Sequence, residues 1–521
     1  MANTNATPAG SAAPLKNPLA KYFRNYFRAR WQNWQNLISN EVFFSKMPSS
    51  WLTYQQAYVR QWDEWSRGFV LQLHRKDMFS VGMGYTVCDI VTRECMKGGF
   101  RFDGAEQDAN KFANDWAEEN NLNDVVAKGF MNANRLGNNI LRLNVVAGGH
   151  VVYPSAHGVD RVYFEINRKQ EIVRARFIDY LTADTYKSDE YYTVEDRIFM
   201  DGAPYYRVKL YKNAGNITNP SFNDVGAGIE RLDYFTRSRF ADLYGDIKPN
   251  VWYKLPFRTL GCYNWQNKAA SVSINSMPGY SDSTLHTALD VLYSIDYNWS
   301  MGQLDMYWGR TRVVVPKEFK KRETPLVIEG RTYQEAMSAE AELSHDVYME
   351  LPSSNTLSDK PVQPTFMQPD LRGETHKYIR DADLELLASK VGLSSSTLAN
   401  HLTYNNSKTA TEVDAESDTT ETTVGNKRDF AARAINGMIS DVLAFYGVIG
   451  GVSVTWNQSG NNKRTRQNVL DEFNARLMPL REAVKRLHPE LTESDVDEWC
   501  QRLENDNREA DVFSDASLFG V

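Results

Sequence analysis

The sequence predicts an α+β fold that is mainly helical, on three observations. Residues 408–446 read as one very long helix, with Val424, Ala431, Ile435, Met438, Ile439, Val442 and Phe445 on one face. Between Val151 and Tyr211 the apolar residues alternate with polar ones, the period of antiparallel strands. Between Leu285 and Met306 helical spacing returns, through Leu289, Leu292, Ile295, Trp299 and Gly302 on one face.

At 521 residues the chain predicts three or four compact units. Its net charge of −7 excludes a simple polycation that coats nucleic acid. The 12 Trp, 27 Tyr and 24 Phe fit either extensive interfaces or a large aromatic core. Cys88, Cys95, Cys262 and Cys500 form no CxxC pair and read as buried thiols in a reducing compartment. Residues 1–15 lack the apolar centre of a signal peptide and read as a disordered tail. The longest apolar run, Val442 to Val454, is too short to span a bilayer. It reads as a helix end, a turn at Gly447 and a strand, with no membrane partner.

In chain order, Lys21 to Trp34 interleaves basic and aromatic residues. This suits a packed amphipathic helix, with binding of single-stranded nucleic acid as the alternative. Helical patterns continue through Trp51–Leu73, Met78–Cys95 and Leu122–Leu136, and Asn139–Val146 reads as a strand. Three alternating stretches start at Arg161, Glu171 and Tyr205, with Asp201-Gly202 as a turn signal. Met277-Pro278-Gly279-Tyr280-Ser281-Asp282-Ser283 is a turn and cap that opens the next helix, and Thr311 to Pro316 is a strand. Residues 351–369 form a Pro/Ser linker, and Leu371 to Lys390 is helical again. Gly392 to Ser407, rich in Ser, Thr and Asn, favours turns over regular structure. Ser407 is placed to cap the long helix, and acids crowd its start, where the dipole favours them.

That helix has two unlike halves. Before Val424 its only large apolar residue is Val413, so the first half lacks a face to bury in its own chain. Gly425-Asn426 marks either a kink or a break between two ordinary helices. From Lys408 to Tyr446 one helix spans roughly 60 Å at about 1.5 Å per residue. Val452 to Trp456 is then a strand. Two helices, Val469–Leu487 and Thr492–Asn505, close the chain.

The run Lys408-Thr409-Ala410-Thr411-Glu412-Val413, after a Gly-Leu-Ser loop and before a long helix, resembles the portal proteins of tailed bacteriophages. A Pro-Gly-x-Ser turn, a helix bearing Asp296 and a basic-flanked Val strand extend the resemblance to 277–316. By order of elements it covers roughly residues 60–505, and residues 150–275 carry no matching motif. The resemblance implies the portal fold: a wing at 16–280, a stem helix at 281–310, a clip at 311–368 and a second stem helix at 369–392. A tunnel loop at 393–407, a long wing helix with its strand at 408–460, and a crown with a C-terminal tail at 461–521 complete it.

The resemblance further implies a dodecameric ring at one capsid vertex of a virion, assembled in the host cytoplasm. The ring would conduct double-stranded DNA without sequence preference. Its implied partners are the major capsid protein, the scaffold, the large terminase and a head–tail adaptor. Such a channel must surround a polyanion without holding it, because Lys/Arg–phosphate contacts repeated in every copy would stall the duplex. The expected DNA-facing residues are Asn400, His401, Thr403, Tyr404, Asn405, Asn406 and Lys408, with Glu412, Asp414 and Glu416 repelling phosphate. Lys317, Lys320, Lys321 and Arg322 fall in the clip, where terminase and adaptor would dock; a solvated loop is the alternative.

No catalytic residue, metal site or cofactor is expected. A P-loop, an HExxH and a paired CxxC are all missing, and Gly451-Val452-Ser453 lacks the second glycine of a nucleophile elbow. His150 and His157 flank Pro154 and read as loop histidines. The competing readings are another ring-forming virion adaptor that conducts no DNA, and a nucleic-acid-processing enzyme, for which no motif speaks.

Overall fold

The structure is a computed structural model. It describes residues 49–67, 80–146, 151–181, 190–213, 222–224, 234–245, 247–268, 278–308, 312–316, 326–328, 331–333, 348–351, 365–367, 372–402 and 410–457. Near the C-terminus it describes residues 469, 472–473, 475, 478–487 and 496–502. Helix and strand are mixed, as expected of an α+β chain. The chain divides into two compact units rather than three or four. Segments far apart in sequence join in each unit, which composition does not reveal.

The first unit takes the described residues of 15–70, 82–289 and 388–521. It opens with α1 (Ser49–Ser66), α2 (Met83–Met96), β1 (Phe100–Gly104), α3 (Gln107–Glu119) and α4 (Leu122–Leu136). Strands β2 (Asn138–Val146) and β3 (Val151–Gly158) follow. Next come β4 (Val162–Ile166), β5 (Ile172–Tyr180), β6 (Glu190–Met200), β7 (Ala203–Asn213) and β8 (Phe222–Asp224). Helix α5 (Tyr234–Tyr244), β9 (Trp252–Lys254) and β10 (Cys262–Gln266) complete this half.

One antiparallel sheet has the order β10-β2-β3; the larger runs β4-β5-β6-β7-β8, with β9 also on β7. The β6–β7 turn is Asp201-Gly202, both with positive φ (+50° and +77°), a hairpin turn that Asp-Gly favours. Trp62, Leu136, Phe164, Phe177 and Val194 share one core cluster, and Phe240 and Tyr244 of α5 close a second on Leu181, Val208 and Leu210.

His157 lies on β3 and is no loop residue; Pro154 falls in the same strand. The strand is at the edge of its sheet, where a missing N–H is tolerated. His150 lies outside the described residues.

After residue 388 the first unit continues with α8 (Ser395–His401), α9 (Ala410–Tyr446), β16 (Val452–Trp456) and α10 (Leu480–Leu487), numbering β11–β15 and α6–α7 in the other unit. Helix α9 has 37 residues, about 55 Å at 1.5 Å per residue, and stays helical through Gly425-Asn426. It ends at Gly447, φ +71°. Ala431, Ile435, Met438, Ile439 and Val442 are buried, as their spacing predicts. Gly437 lets the Tyr263 ring come close, 3.0 Å from where a Cβ would stand. β16 pairs antiparallel with β1. Asparagines meet backbone groups of this two-stranded sheet: Asn114 bonds both N–H and C=O of Phe102, and Asn436 accepts from Val454 N.

The second unit takes the described residues of 71–81 and 290–387. It holds α6 (Leu289–Trp308) from Asp290 on, and α7 (Gly373–Val391) up to Leu387. Between them run β11 (Arg312–Pro316), β12 (Leu326–Ile328), β13 (Arg331–Tyr333), β14 (Tyr348–Leu351) and β15 (Thr365–Met367). β11 is central, parallel to β14 and antiparallel to β15, and β12–β13 is a separate antiparallel pair.

Cys88, Cys95 and Cys262 are buried, as expected, and burial pushes the thiols up to about 12, about 12 and about 11. Cys500 is half-buried. A thiol-specific alkylating reagent at pH 8 is therefore expected to modify Cys500 in the folded chain and all four cysteines in denaturant. Rapid native labelling of the other three would contradict the packing.

Candidate functional site

The residues expected to face DNA follow α7. Gly392 takes φ +76°, and a Cβ there would meet Thr423 Oγ1 at 2.6 Å, so this turn requires glycine. The next stretch, expected as loop, forms α8. Ser394 Oγ caps it by accepting from Thr397 N at 3.0 Å, and Ser394 N donates to Thr420 Oγ1 at 2.8 Å. Thr420 is buried by this contact. The expectation that the half before Val424 lacks a face to bury in its own chain therefore fails at Thr420, with Thr423 packed close to Gly392. Hydrogen-bonded hydroxyls can be buried, and a count of apolar residues overlooks them.

Asn400 and His401 lie on α8, and His401 Nε2 stands 3.0 Å from Glu94 Oε1 on α2. Thr403, Tyr404, Asn405, Asn406 and Lys408 lie outside the described residues, as do Lys317, Lys320, Lys321 and Arg322. Glu412, Asp414 and Glu416 lie on the first two turns of α9, and their side chains are outside the described set.

Where the polar half of α9 meets its apolar half, two consecutive cations go opposite ways. Arg428 donates to the carbonyls of Cys95 at 2.9 Å and Lys97 at 2.6 Å, capping the end of α2. Lys427 is buried and donates to Asn134 Oδ1 at 2.9 Å, Thr284 Oγ1 at 3.0 Å and Asn267 Oδ1. The sequence signal was present: Lys427 falls three residues after Val424 and four before Ala431, on the apolar stripe. Thr284 belongs to the Pro-Gly-Tyr-Ser turn. Asn138, Asn264 and Gln266 all donate to Gly279 O, while Ser281 Oγ bonds Gly137 O. That motif is thus a buried latch just before α6.

In the second unit, α6 and α7 run antiparallel with a polar seam. Asp383 accepts from Ser294 at 3.1 Å and Asn298 at 2.7 Å, and His376 Nε2 meets Asp305 Oδ2 at 2.7 Å. Asp296 is buried and accepts from Ser80 Oγ and Val81 N; burial holds its carboxyl above the usual range. The expected apolar stripe splits. Leu292 and Ile295 are buried, but Trp299 and Met306 are exposed, together with Tyr293, Tyr297, Leu386 and Tyr378, the last 76% exposed. Polar pairs thus line much of the seam beside buried Val291, Leu292, Ile295 and Leu387, while several large apolar side chains are exposed.

The strands of 138–266 hold a polar cluster that sequence reasoning missed. Arg142 reaches Asp179 at 3.1 Å and Glu195 at 3.2 Å; Arg197 pairs with Glu195 and donates to the carbonyls of Leu143 and Leu260. Its members come from β2, β5 and β6, so no local spacing marks it. His157 Nε2 stands 2.8 Å from Ser155 Oγ, and its Nδ1 is 3.7 Å from Asp179 Oδ1. The latter exceeds a hydrogen bond, and Asn144 already holds Ser155 Oγ at 2.9 Å, so the group lacks the geometry of an acyl-transfer triad.

Burial, then Arg142, holds the His157 imidazole well below its ordinary 6.5. The unfolded chain therefore binds the extra proton first as pH falls. Stability is expected to decline below pH 6.5 by about 1.4 kcal/mol per unit. His157→Gln is expected to flatten this limb in urea melts from pH 4.5 to 7.5; an unchanged slope would exclude His157 as its source.

Comparison with known protein families and with curated proteins finds no match to this chain. Among the described residues no helix is long and apolar enough to cross a membrane, and no three metal-ligating side chains cluster.

Proposed function

We propose that this chain is a portal subunit. Copies close into a dodecameric ring at a capsid vertex, which conducts double-stranded DNA during packaging and ejection and docks the large terminase and the head–tail adaptor. The role is structural, not enzymatic. The observation that carries this reading is the α6–α7 hairpin, which places polar pairs in its seam and leaves Tyr293, Tyr297, Trp299, Met306, Tyr378 and Leu386 exposed. Such a hairpin finds an apolar environment only against further protein. A second copy is the partner that closed symmetry supplies at every interface. The chain order helix, small sheet, helix and long helix supports this reading, with the short helix α8 standing where the portal resemblance implies a loop.

Electron microscopy of the purified chain tests this. The expected result is a ring with an axial hole wide enough for a DNA duplex; a compact monomer would overturn the reading. A ring without such a hole would favour an adaptor that conducts no DNA. Lysine at Glu412, Asp414 and Glu416 together is expected to lower packaged-genome yield severalfold, since added cations would hold phosphate. An unchanged yield would remove these acids from the channel.

A further inference from the structure

We propose that Lys427 is a proton-dependent latch on α9, at the point where the helix passes from its more exposed turns to its packed apolar half. The cage around its amine is built from three places: Asn134 on α4, Asn267 after β10, and Thr284 in the turn before α6. All three oxygens are neutral. The titratable groups nearby offer no counter-charge. Cys88 and Cys95 of α2 are thiols that burial keeps protonated, and Lys268 is a second cation. Asp282 faces Lys268, and Arg135 of α4 pairs with Asp63. Arg428 turns away to the end of α2.

The helix is lightly held just before this point. Thr419, Glu421, Thr422, Gly425 and Asn426 are exposed, and a Cβ at Gly425 would meet nothing within 4 Å. Thr420, Thr423 and Val424 make contacts there. Freeing Lys427 therefore frees the turns that precede it, while Ala431, Ile435 and Met438 keep the rest packed.

Burial brings the amine down to about 8 from its ordinary 10.5. An ammonium that opens to water regains its ordinary proton affinity. Between pH 8 and 10.5 the opened form thus binds more protons than the closed one, and opening becomes tenfold harder per unit of rising pH. Below pH 8 both forms are charged, and opening is at its easiest. The latch is accordingly ready to open at neutral pH. This holds whether or not the chain forms a portal ring.

Hydrogen exchange of the full chain from pH 7 to 9.5, as protection corrected for intrinsic rates, tests the latch. Amides 419–430 of the wild type are expected to be flat to pH 8 and then gain about tenfold in protection per unit. Lys427→Met is expected to give high, pH-independent protection, and Lys427→Arg low protection with no rise. Amides 435–442 serve as the internal reference and stay unchanged. A flat wild-type profile, or a rise that survives in Lys427→Met, overturns the proposal. Should Lys427→Met fail to fold, the wild type and Lys427→Arg decide the matter.

Discussion

Replacing Trp299 and Tyr378 together by glutamate is expected to leave a folded chain that does not form the proposed ring. Both side chains are exposed on the single chain, 45% and 76%, and surface changes of this kind stay within about 0.5 kcal/mol of neutral. In an assembly that covers them, each new carboxylate loses its water without gaining a partner, at about 2 kcal/mol or more. A closed ring repeats that cost at every interface, so a modest penalty per copy becomes decisive. Light scattering coupled to size exclusion reads the mass, and circular dichroism checks the fold. Wild-type mass in the double variant would mean that no interface covers this face, and would remove the main support for the proposed ring.

Gly137→Ala is expected to cost about 4 kcal/mol, the largest single-site loss of stability anticipated in the first unit. Gly137 follows α4 with φ +90°, a conformation that costs other residues about 1–3 kcal/mol. A Cβ would also stand 2.0 Å from Ser281 O and 2.9 Å from the carbon behind it, so backbone must move. Overpacking of this kind adds about 1–3 kcal/mol. The damage falls on the Pro-Gly-Tyr-Ser latch. Gly202→Ala is the matched control: φ is +77°, yet nothing lies within 4 Å of the added methyl. It is expected to lose about 1–2 kcal/mol in the same denaturant melt, strain alone. Equal losses at the two sites would show that the Ser281 backbone yields to the added methyl without cost.

Where a segment's own side chains decide its structure, the sequence was readable. Helix α4 occupies Leu122–Leu136 and β16 Val452–Trp456, both as their periodicity predicts. Helix α9 is continuous where a break at Gly425 was the alternative. Composition misled at α8, whose Ser, Thr and Asn content suggests a loop. Its Ser394 cap and the Ser394–Thr420 bond tie it to a helix more than twenty residues away. Pro154 misled at His157, because whether a proline is tolerated depends on the strand being at an edge, which is a property of the sheet.

The sequence by itself determined the α+β character, the long amphipathic helix and the burial of Cys88, Cys95 and Cys262. Each follows from local spacing and hydropathy, which act within a few residues of the chain. Tertiary structure alone decided that Lys427 sits among three neutral oxygens, that Arg142 and Arg197 share Glu195, and that Asp383 pairs across the α6–α7 seam while Trp299 and Tyr378 stay exposed. Apart from the Arg197–Glu195 pair, those arrangements join residues tens to hundreds of positions apart, and a buried charge or an uncovered aromatic is defined only by the neighbours the fold brings to it.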